Sequence, residues 1–228
     1  MYYVVGVFLS AVFFAGIFFH IGYDLQKFSW WLPAIFVVLG LGLVASSISY
    51  LMKQGLKYAD YNLGFHGERV VGEHLNRLML DGCEVFHDLE VEAKWNIDHI
   101  VVSPRGVFVV ETKTRRKPTG ENGHKLIFTG TDLEFPTWKD QHGLKQAADN
   151  ARWLANFLTK STGERVEVTP ILTFPGWWVE RQGKNTVNVL NPKEIRGVVT
   201  DNRLPLLDEG QRKRICFQLE QKCRNVDL

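Results

Sequence analysis

Two carboxylates and a lysine interrupt a stretch that otherwise has the composition of a buried β-hairpin. Residues 97–102 and 107–110 are β-branched or aromatic, apart from Asp98 and His99, and Glu111 and Lys113 follow the second arm. Carboxylate oxygens beside an ammonium group could bind a divalent cation and act on a phosphate group. A structural ion pair between Lys113 and one of the acids is the alternative.

The turn between the two arms predicts which side chains face each other. Residues 103–106, Ser-Pro-Arg-Gly, have the preferences of a type I turn. If residues 103 and 106 close the turn, Val102 faces Val107 and, counting by twos, Asp98 faces Glu111. The lysine that follows shares their face. Both faces of the hairpin are largely apolar, so we predict that other layers cover both, where unpaired charge is costly.

The N-terminal segment has the composition of membrane-spanning helices. Residues 1–23 and 28–52 contain no Asp, Glu, Lys or Arg, and about 20 apolar residues suffice to cross a bilayer as a helix. We predict a transmembrane helical hairpin over residues 1–52, with spans of about 2–22 and 30–51. A cleaved signal peptide is the alternative for the first span, although that span lacks a basic n-region.

The lysines that flank these spans predict an orientation. Lys53 and Lys57 follow the second span, whereas the connector holds only Lys27. The positive-inside rule therefore places the C-terminal domain in the cytoplasm. We expect a multi-pass protein of the cell (inner) membrane, with the lipid bilayer as one partner.

The charge and cysteine content of the chain limit the classes of function that the rest of the chain could have. The 228 residues carry a formal net charge of +2, so no global basic field announces a nucleic-acid partner. The three cysteines show neither zinc-site spacing nor a disulfide framework, which fits a reducing compartment. A local basic run comprises Lys113, Arg115, Arg116 and Lys117. Such a run is either a solvated turn or a phosphate-binding surface.

We predict a linker over residues 53–63, which could also extend the second helix, and a domain over 64–228. Gly64 to Gly67 predicts a break, and residues 68–80 predict a helix. Its apolar stripe is formed by Val71, Leu75 and Leu78. Glu68 lies in the sector of that stripe and Glu73 lies opposite, so Glu68 is the candidate to face the sheet. Its alternative role is that of an ordinary acid in a first helical turn.

The remaining pattern predicts a mixed sheet covered on both sides, an α/β domain. Helix 140–160 carries the stripe Gln146, Asn150, Trp153 and Phe157. The predicted strands are 83–91, the two hairpin arms, 126–129, 133–135, 166–174 and 186–190, and further helices are predicted at 192–199 and 207–223. The adjacent Trp177 and Trp178 predict either a core or interface pair or a platform for nucleic-acid bases.

Four sequence strings together resemble a known family. They are Gly67-Glu68-x-x-Val71-x-x-x-Leu75, Ile97-Asp98-His99-Ile100-Val101-Val102, Gly106-Val107-Phe108-Val109-Val110-Glu111-Thr112-Lys113, and Gln146 near the start of a helix. They resemble the nuclease-related domain (NERD) and, more widely, the PD-(D/E)xK nucleases, over residues 64–160. His142-Gly143 stands where the family usually has Asn-Pro, and Asn96 stands where Gln or Glu is expected.

The resemblance implies a restriction-endonuclease-like three-layer fold and a set of roles. The implied metal ligands are Asp98, Glu111, the Thr112 carbonyl and Glu68, and the implied catalytic residues further include Lys113 and Gln146. It implies Mg²⁺ or Mn²⁺ as cofactor. Lys113 would orient or activate a water, and Gln146 would hold the site or touch the nucleic-acid backbone. The basic run of Lys113, Arg115, Arg116 and Lys117 would bind nucleic acid.

The predicted function is therefore a membrane-anchored, metal-dependent nuclease that hydrolyses phosphodiester bonds of DNA, or of RNA, on the cytoplasmic side. The alternative is a membrane-tethered nucleic-acid-binding, sensor or scaffold domain without catalysis. A structural membrane protein whose soluble domain oligomerises is the third reading. Homo-oligomerisation stays open in all three.

Overall fold

The computed structural model describes residues 12–13, 15–17, 20, 31–92, 95–120 and 123–224. The chain forms two compact units, residues 1–62 and 63–228. The first predicted membrane span, about 2–22, lies largely outside the described residues. The short connector after it, up to residue 30, lies outside them entirely.

A long helix, α1, runs over Trp31–Asn76. The second predicted span, about 30–51, falls on this helix. Among the described residues one helix is long and apolar enough to cross a membrane, so one span is supported where the sequence predicted two.

The predicted break at Gly64–Gly67 was wrong, because α1 continues through it. A glycine costs a helix only about 1 kcal/mol, and here the small residues serve close contacts. A Cβ on Gly67 would lie 1.9 Å from Thr114 Cγ2, and one on Gly72 would lie 3.5 Å from His87 Cε1. These glycines therefore let the C-terminal part of the helix approach the residues beside it.

The remaining helices and strands follow in chain order. They are a 3-10 helix at Arg77–Asp81, β1 Glu84–Glu92, β2 Trp95–Ser103, β3 Gly106–Thr112, β4 Lys125–Phe128, β5 Leu133–Glu134, β6 Lys139–Asp140, α2 His142–Thr162, β7 Val168–Thr173, β8 Trp178–Arg181, β9 Asn188–Leu190, a 3-10 helix at Pro192–Glu194, α3 Ile195–Val199 and α4 Glu209–Arg224. Most predicted elements are present with shifted ends, whereas β6 and β8 were not predicted.

Two sheets organise these strands. The main sheet has the order β1-β2-β3-β7-β9, with β1, β2 and β3 antiparallel and β7 and β9 parallel to β3. The second sheet has the order β6-β5-β4-β8. The sequence did not predict the second sheet because its strands are short and two of them, β4 and β8, pair in parallel across a long stretch of chain. Such pairing leaves no hairpin signal.

Helices cover both faces of the main sheet. On one face, Ile100, Val102, Val107 and Val109 pack against the α2 residues Leu154 and Leu158 and the α4 residues Ile215 and Leu219. On the other face, Val101, Phe108 and Val110 pack against the predicted stripe, of which Val71 and Leu75 lie on α1 and Leu78 lies on the 3-10 helix that follows it. The predicted three-layer, restriction-endonuclease-like α/β fold is confirmed.

Candidate active site

The β2–β3 hairpin brings the two predicted acids opposite each other. Ser103 pairs with Gly106 and Val102 with Val107, and the ladder continues to His99 with Val110. The predicted register is thus confirmed, and one further step along it places Asp98 beside Glu111. The Thr112 amide donates a 2.7 Å hydrogen bond to Asp98 Oδ2. The backbone of β3 therefore holds the Asp98 carboxylate.

Glu111 is buried and held from two sides. Its side chain is 1% exposed, and Lys113 Nζ lies 2.7 Å from Glu111 Oε1. Asn150 Nδ2, from α2, donates a 2.9 Å hydrogen bond to Glu111 Oε2. The Lys113 amide in turn donates to Thr173 O at 2.9 Å, which fixes the backbone beyond β3 to β7. Each Glu111 oxygen therefore has a donor, and the carboxylate has one defined position.

Acidic side chains outnumber basic ones around Asp98 and Glu111. Burial, followed by the charge of Glu111, raises the pKa of Asp98 to about 7, against the opposing effects of the Thr112 amide and Lys113. Burial also raises the pKa of Glu111, although Lys113 and Asn150 counteract it. Such shifts arise where acids share an environment with too few cations. The pair therefore favours binding either a proton or another cation.

Glu68 reaches the same region from the other layer. It lies on α1, half-buried, whereas Glu73 is exposed and pairs with Arg69 at 3.7 Å. Burial, then the charges of Asp98 and Asp88, raises the pKa of Glu68. The helical-wheel choice of Glu68 over Glu73 therefore agrees with the burial of the two side chains. No hydrogen bond joins Glu68 to the other acids among the described residues.

Sequence reasoning missed Asp88. It interrupts the β1 ladder, in register between the His87–His99 and Leu89–Ile97 pairs. It is a non-glycine residue in the left-handed region, with φ of +51°, a conformation that Asp tolerates better than most residues. Its charge raises the pKa of both Glu68 and Asp98. The sequence signal was an acid inside a strand pattern, but nothing in the pattern indicated the local backbone.

Besides the predicted Gln146, α2 contributes Asn150, whose contact with the acids was not predicted from the sequence. Gln146 is half-buried and makes no hydrogen bond with the described residues, whereas Asn150, one helical turn later, is buried on Glu111. A Cβ on Gly143 would lie 3.5 Å from Lys113 Cγ, so the start of α2 approaches the lysine. The available signal was the stripe itself, because an amide buried in an apolar stripe needs a polar partner.

The four side chains of the predicted nucleic-acid-binding run, residues 113 and 115–117, differ in their contacts. Arg115 Nη2 lies 2.9 Å from Asp140 Oδ2, so its charge is paired within the chain. Arg116 also has an intramolecular interaction. Lys117 is exposed and makes no hydrogen bond or ion pair with the described residues. Lys113 Nζ donates one of its three N–H groups to Glu111 Oε1.

Comparison with known proteins identifies part of the chain. Residues 63–175 match the nuclease-related domain family. The chain carries a nuclease-related domain. The match includes Glu68, Asp98, Glu111, Lys113 and Gln146. No curated protein matches the chain.

Among solved structures, a match is SfsA from Pyrococcus furiosus in complex with Ca²⁺, at 11% sequence identity and a TM-score of 0.25. The alignment covers 68% of this chain and 53% of that one, so this chain spans about half of the SfsA structure. At this TM-score the two structures differ too much for one to inform the other.

The donors of the nuclease-related domain suit a hard divalent cation in kind. They are carboxylate and carbonyl oxygens with raised carboxyl pKa values and one nearby ammonium group. Within the described ranges, no three His, Cys, Asp or Glu side chains are placed to share one ion. Mg²⁺, however, is usually held by one or two carboxylates together with waters and substrate phosphate. The residues therefore fit Mg²⁺ or Mn²⁺ without a closed cluster of acids.

The close contact at Gly67 predicts a variant that disturbs the position of Glu68. In Gly67→Ala the new Cβ would meet Thr114 Cγ2 at 1.9 Å, so the helix or the threonine must move. We expect a loss of about 1–3 kcal/mol in stability. The measurement is the thermal unfolding of the full chain in mild detergent.

Two matched variants check the cause of that loss. A Cβ on Gly64 would come no closer than 4.0 Å to Thr114 Oγ1, so Gly64→Ala should be at least as stable as the wild type, with a gain of up to about 1 kcal/mol because alanine favours a helix. Thr114→Ser removes the clashing methyl group, so Gly67→Ala/Thr114→Ser should recover most of the loss. An unchanged melting temperature in Gly67→Ala would show that the contact is not restrictive.

Proposed function

We propose that the nuclease-related domain hydrolyses phosphodiester bonds of DNA, or of RNA, and requires Mg²⁺ or Mn²⁺. The observation that carries the proposal is the pairing of Asp98 with Glu111 at the end of an apolar hairpin, with Lys113 Nζ 2.7 Å from Glu111. Buried acids in excess of their cations are costly for a fold, and such groups cluster at functional sites.

Asp98 and Glu111 act as the metal ligands in this proposal, together with the Thr112 carbonyl, and Glu68 completes the set through a water, since no three acidic side chains among the described residues are placed to share one ion. The bound cation would polarise the phosphodiester and lower the pKa of an attacking water. Asn150 keeps Glu111 in one position through its 2.9 Å hydrogen bond. The Thr112 amide does the same for Asp98 at 2.7 Å. Oriented carboxylates reduce the reorganisation that the reaction needs.

Lys113 is the residue that faces the phosphate in this proposal. Its ammonium group has three N–H donors, of which one is used by Glu111. The other two can donate to a water or to a phosphate oxygen and stabilise the negative charge that develops there. Gln146, on the first turns of α2, would contact the nucleic-acid backbone or steady the site.

We also propose that α1 anchors this nuclease to a membrane. The helix has exposed apolar side chains such as Val38, Leu41 and Met52, and it is long enough to cross a bilayer. Lys53 and Lys57 follow the apolar stretch, which supports a cytoplasmic domain and a multi-pass anchor if residues 2–22 form the first span. The nuclease would then act on nucleic acid near the inner membrane.

The alternative function is nucleic-acid binding or scaffolding without catalysis. It is favoured by the ion pair itself, because Lys113 and Asn150 already satisfy both oxygens of Glu111. A structural ion pair would be satisfied in the same way. The excess of acids over cations favours the catalytic reading.

Cleavage by the full chain in mild detergent tests the proposal. Labelled single-stranded and duplex DNA and RNA are incubated with Mg²⁺ or Mn²⁺, and with EDTA in parallel. We expect metal-dependent cleavage that falls more than about 100-fold in Asp98→Ala, because several kcal/mol of transition-state stabilisation is lost. Asp149→Ala is the control, since this exposed acid pairs with Arg152 on the α2 surface. Absence of cleavage, or equal rates in wild type and Asp98→Ala, would refute the proposal.

A further inference from the structure

The adjacent tryptophans have different environments. Trp177 is 1% exposed, packs against Phe135 and Trp138 and donates its Nε1–H to Arg115 O at 3.3 Å. Trp178 is 67% exposed. Trp177 directly precedes β8 and Trp178 is its first residue, and the core takes the first indole while the second remains at the surface. The fold therefore leaves a large aromatic face in contact with solvent.

Trp178 lines a mostly apolar groove of about 740 Å³. Val70 and His74 of α1 form one part of the groove, and Lys193, after β9, forms another. Pro175 and Gly176, which directly precede the tryptophan pair, also line it. A groove that has a mostly apolar surface and an exposed indole, with polar and charged residues also in its lining, is suited to a flat, aromatic ligand that carries charge.

Among the described residues, the charged side chains at the groove that lack an ion-pair partner are lysines. Arg181 is paired with Glu194 at 2.7 Å. Lys193 makes no side-chain hydrogen bond or ion pair with the described residues. Lys117 likewise has no such partner, and its Nζ lies 3.2 Å from the position that a Cβ on Gly176 would take. Two ammonium groups therefore flank the aromatic surface without an acid of their own.

The segment that follows the candidate active-site strand β3 contacts the lining of the groove at Gly176 and Trp177. The segment after β3 runs beside the segment after β7, with the Lys113 amide bonded to Thr173 O at 2.9 Å and Trp177 bonded to Arg115 O at 3.3 Å. The same helix, α1, supplies Glu68 to the acids and Val70 and His74 to the groove. A strand bound by its phosphates along residues 113–117 would therefore reach Trp178.

We propose that this groove binds unpaired bases of single-stranded nucleic acid, with a base stacked on Trp178 and phosphates on Lys117 and Lys193. The inference deepens the proposed nuclease function by naming the form of the substrate, and in that sense it rests on it. Stacking requires an exposed base face, which a base inside a duplex does not offer, whereas every unpaired base has one. The near-neutral charge of the whole chain fits a contribution from stacking besides that of phosphates.

Binding without cleavage tests the inference. The probe is a fluorescent oligothymidylate of about 15 nucleotides, titrated with the full chain in mild detergent and EDTA, with fluorescence anisotropy as the readout. Parallel probes are an abasic oligomer of the same length and a blunt duplex. We expect Trp178→Ala to weaken oligothymidylate binding about 10-fold or more, and Trp178→Phe to retain most of the affinity. The abasic oligomer should bind more weakly and respond little to Trp178→Ala.

Phe217→Ala is the matched control, because Phe217 is a 56% exposed aromatic residue on α4, away from the residues that line the groove. It should bind like the wild type. Equal affinity of wild type and Trp178→Ala for oligothymidylate would overturn the inference, as would an equal effect of Trp178→Ala on the abasic oligomer. Because EDTA removes any metal-dependent reaction, this result is independent of cleavage. A chain that cuts normally but shows no Trp178 effect refutes the inference alone.

Discussion

Asp98→Asn is expected to stabilise the folded domain at pH 8 while abolishing cleavage. Burial and the charge of Glu111 raise the pKa of Asp98 from 3.8 to about 7. At pH 8 the folded wild type must therefore carry an unfavourable negative charge, which asparagine removes. Asparagine keeps an oxygen that accepts from the Thr112 amide. We expect a gain of about 2–4 kcal/mol without metal, or roughly 5–10 °C in melting temperature.

The pH dependence of this gain identifies its cause. Below pH 3.8 the Asp98 carboxyl is protonated in both the folded and the unfolded chain, so its ionisation costs no stability. Between pH 3.8 and the folded pKa of about 7 the unfolded chain is ionised while the folded carboxyl holds its proton, so the folded state loses relative stability as pH rises, and the loss is complete above about pH 7. The gain from Asp98→Asn should therefore be small near pH 4 and complete above pH 7.

Thermal unfolding of the full chain in detergent and EDTA at several pH values measures this gain. Asp149→Asn is the control, because its ion pair with Arg152 is exposed and should change stability by less than about 1 kcal/mol. A wild type as stable as Asp98→Asn at pH 8 would contradict the electrostatic account of the site.

Lys113→Met should have the opposite effect on stability. The variant keeps the apolar stem but removes the ammonium group 2.7 Å from Glu111, whose side chain is 1% exposed. A buried carboxylate left with one amide donor is strongly destabilising, by about 2–4 kcal/mol at pH 8. Protonation of Glu111 relieves part of this cost, so the loss should shrink as pH falls. Cleavage should be lost with it.

The double variant Lys113→Met/Glu111→Gln separates stability from function. Glutamine can keep the hydrogen bond from Asn150 without a buried charge, so most of the lost stability should return, while cleavage should not. A double-mutant cycle on the melting data gives the coupling energy of the pair. If Lys113→Met alone unfolds like the wild type, the ion pair does not stabilise Glu111.

The sequence predicted the hairpin because its turn and its alternation are both local. The turn at residues 103–106 fixed the Val102–Val107 pair, and everything up to Asp98 and Glu111 followed by counting. The apolar stripe of α1 likewise distinguished Glu68 from Glu73. In both cases a short stretch of chain contains all the information that positions the side chain.

The parts that could not be predicted depend on contacts that are distant in the chain. Asn150 lies on Glu111, and only the packing of α2 on the sheet selects it over Gln146. Asp88 depends on a single left-handed residue with φ of +51°. The glycines of α1 suggested a break, because a contact such as Gly67 with Thr114 has no signature in the sequence. The separation of Trp177 from Trp178 required the unpredicted strand β8.

Calorimetric titration of the full chain with Mn²⁺ in mild detergent at pH 8 tests directly whether Asp98 and Glu111 bind a divalent cation. We expect saturable binding that is lost in Asp98→Asn and Glu111→Gln and retained in Asp149→Asn. Absence of Mn²⁺ binding by the wild type, or equal binding by Asp98→Asn, would contradict the proposed metal site. Measurable nucleic-acid affinity in that same preparation would then favour a binding domain over a nuclease.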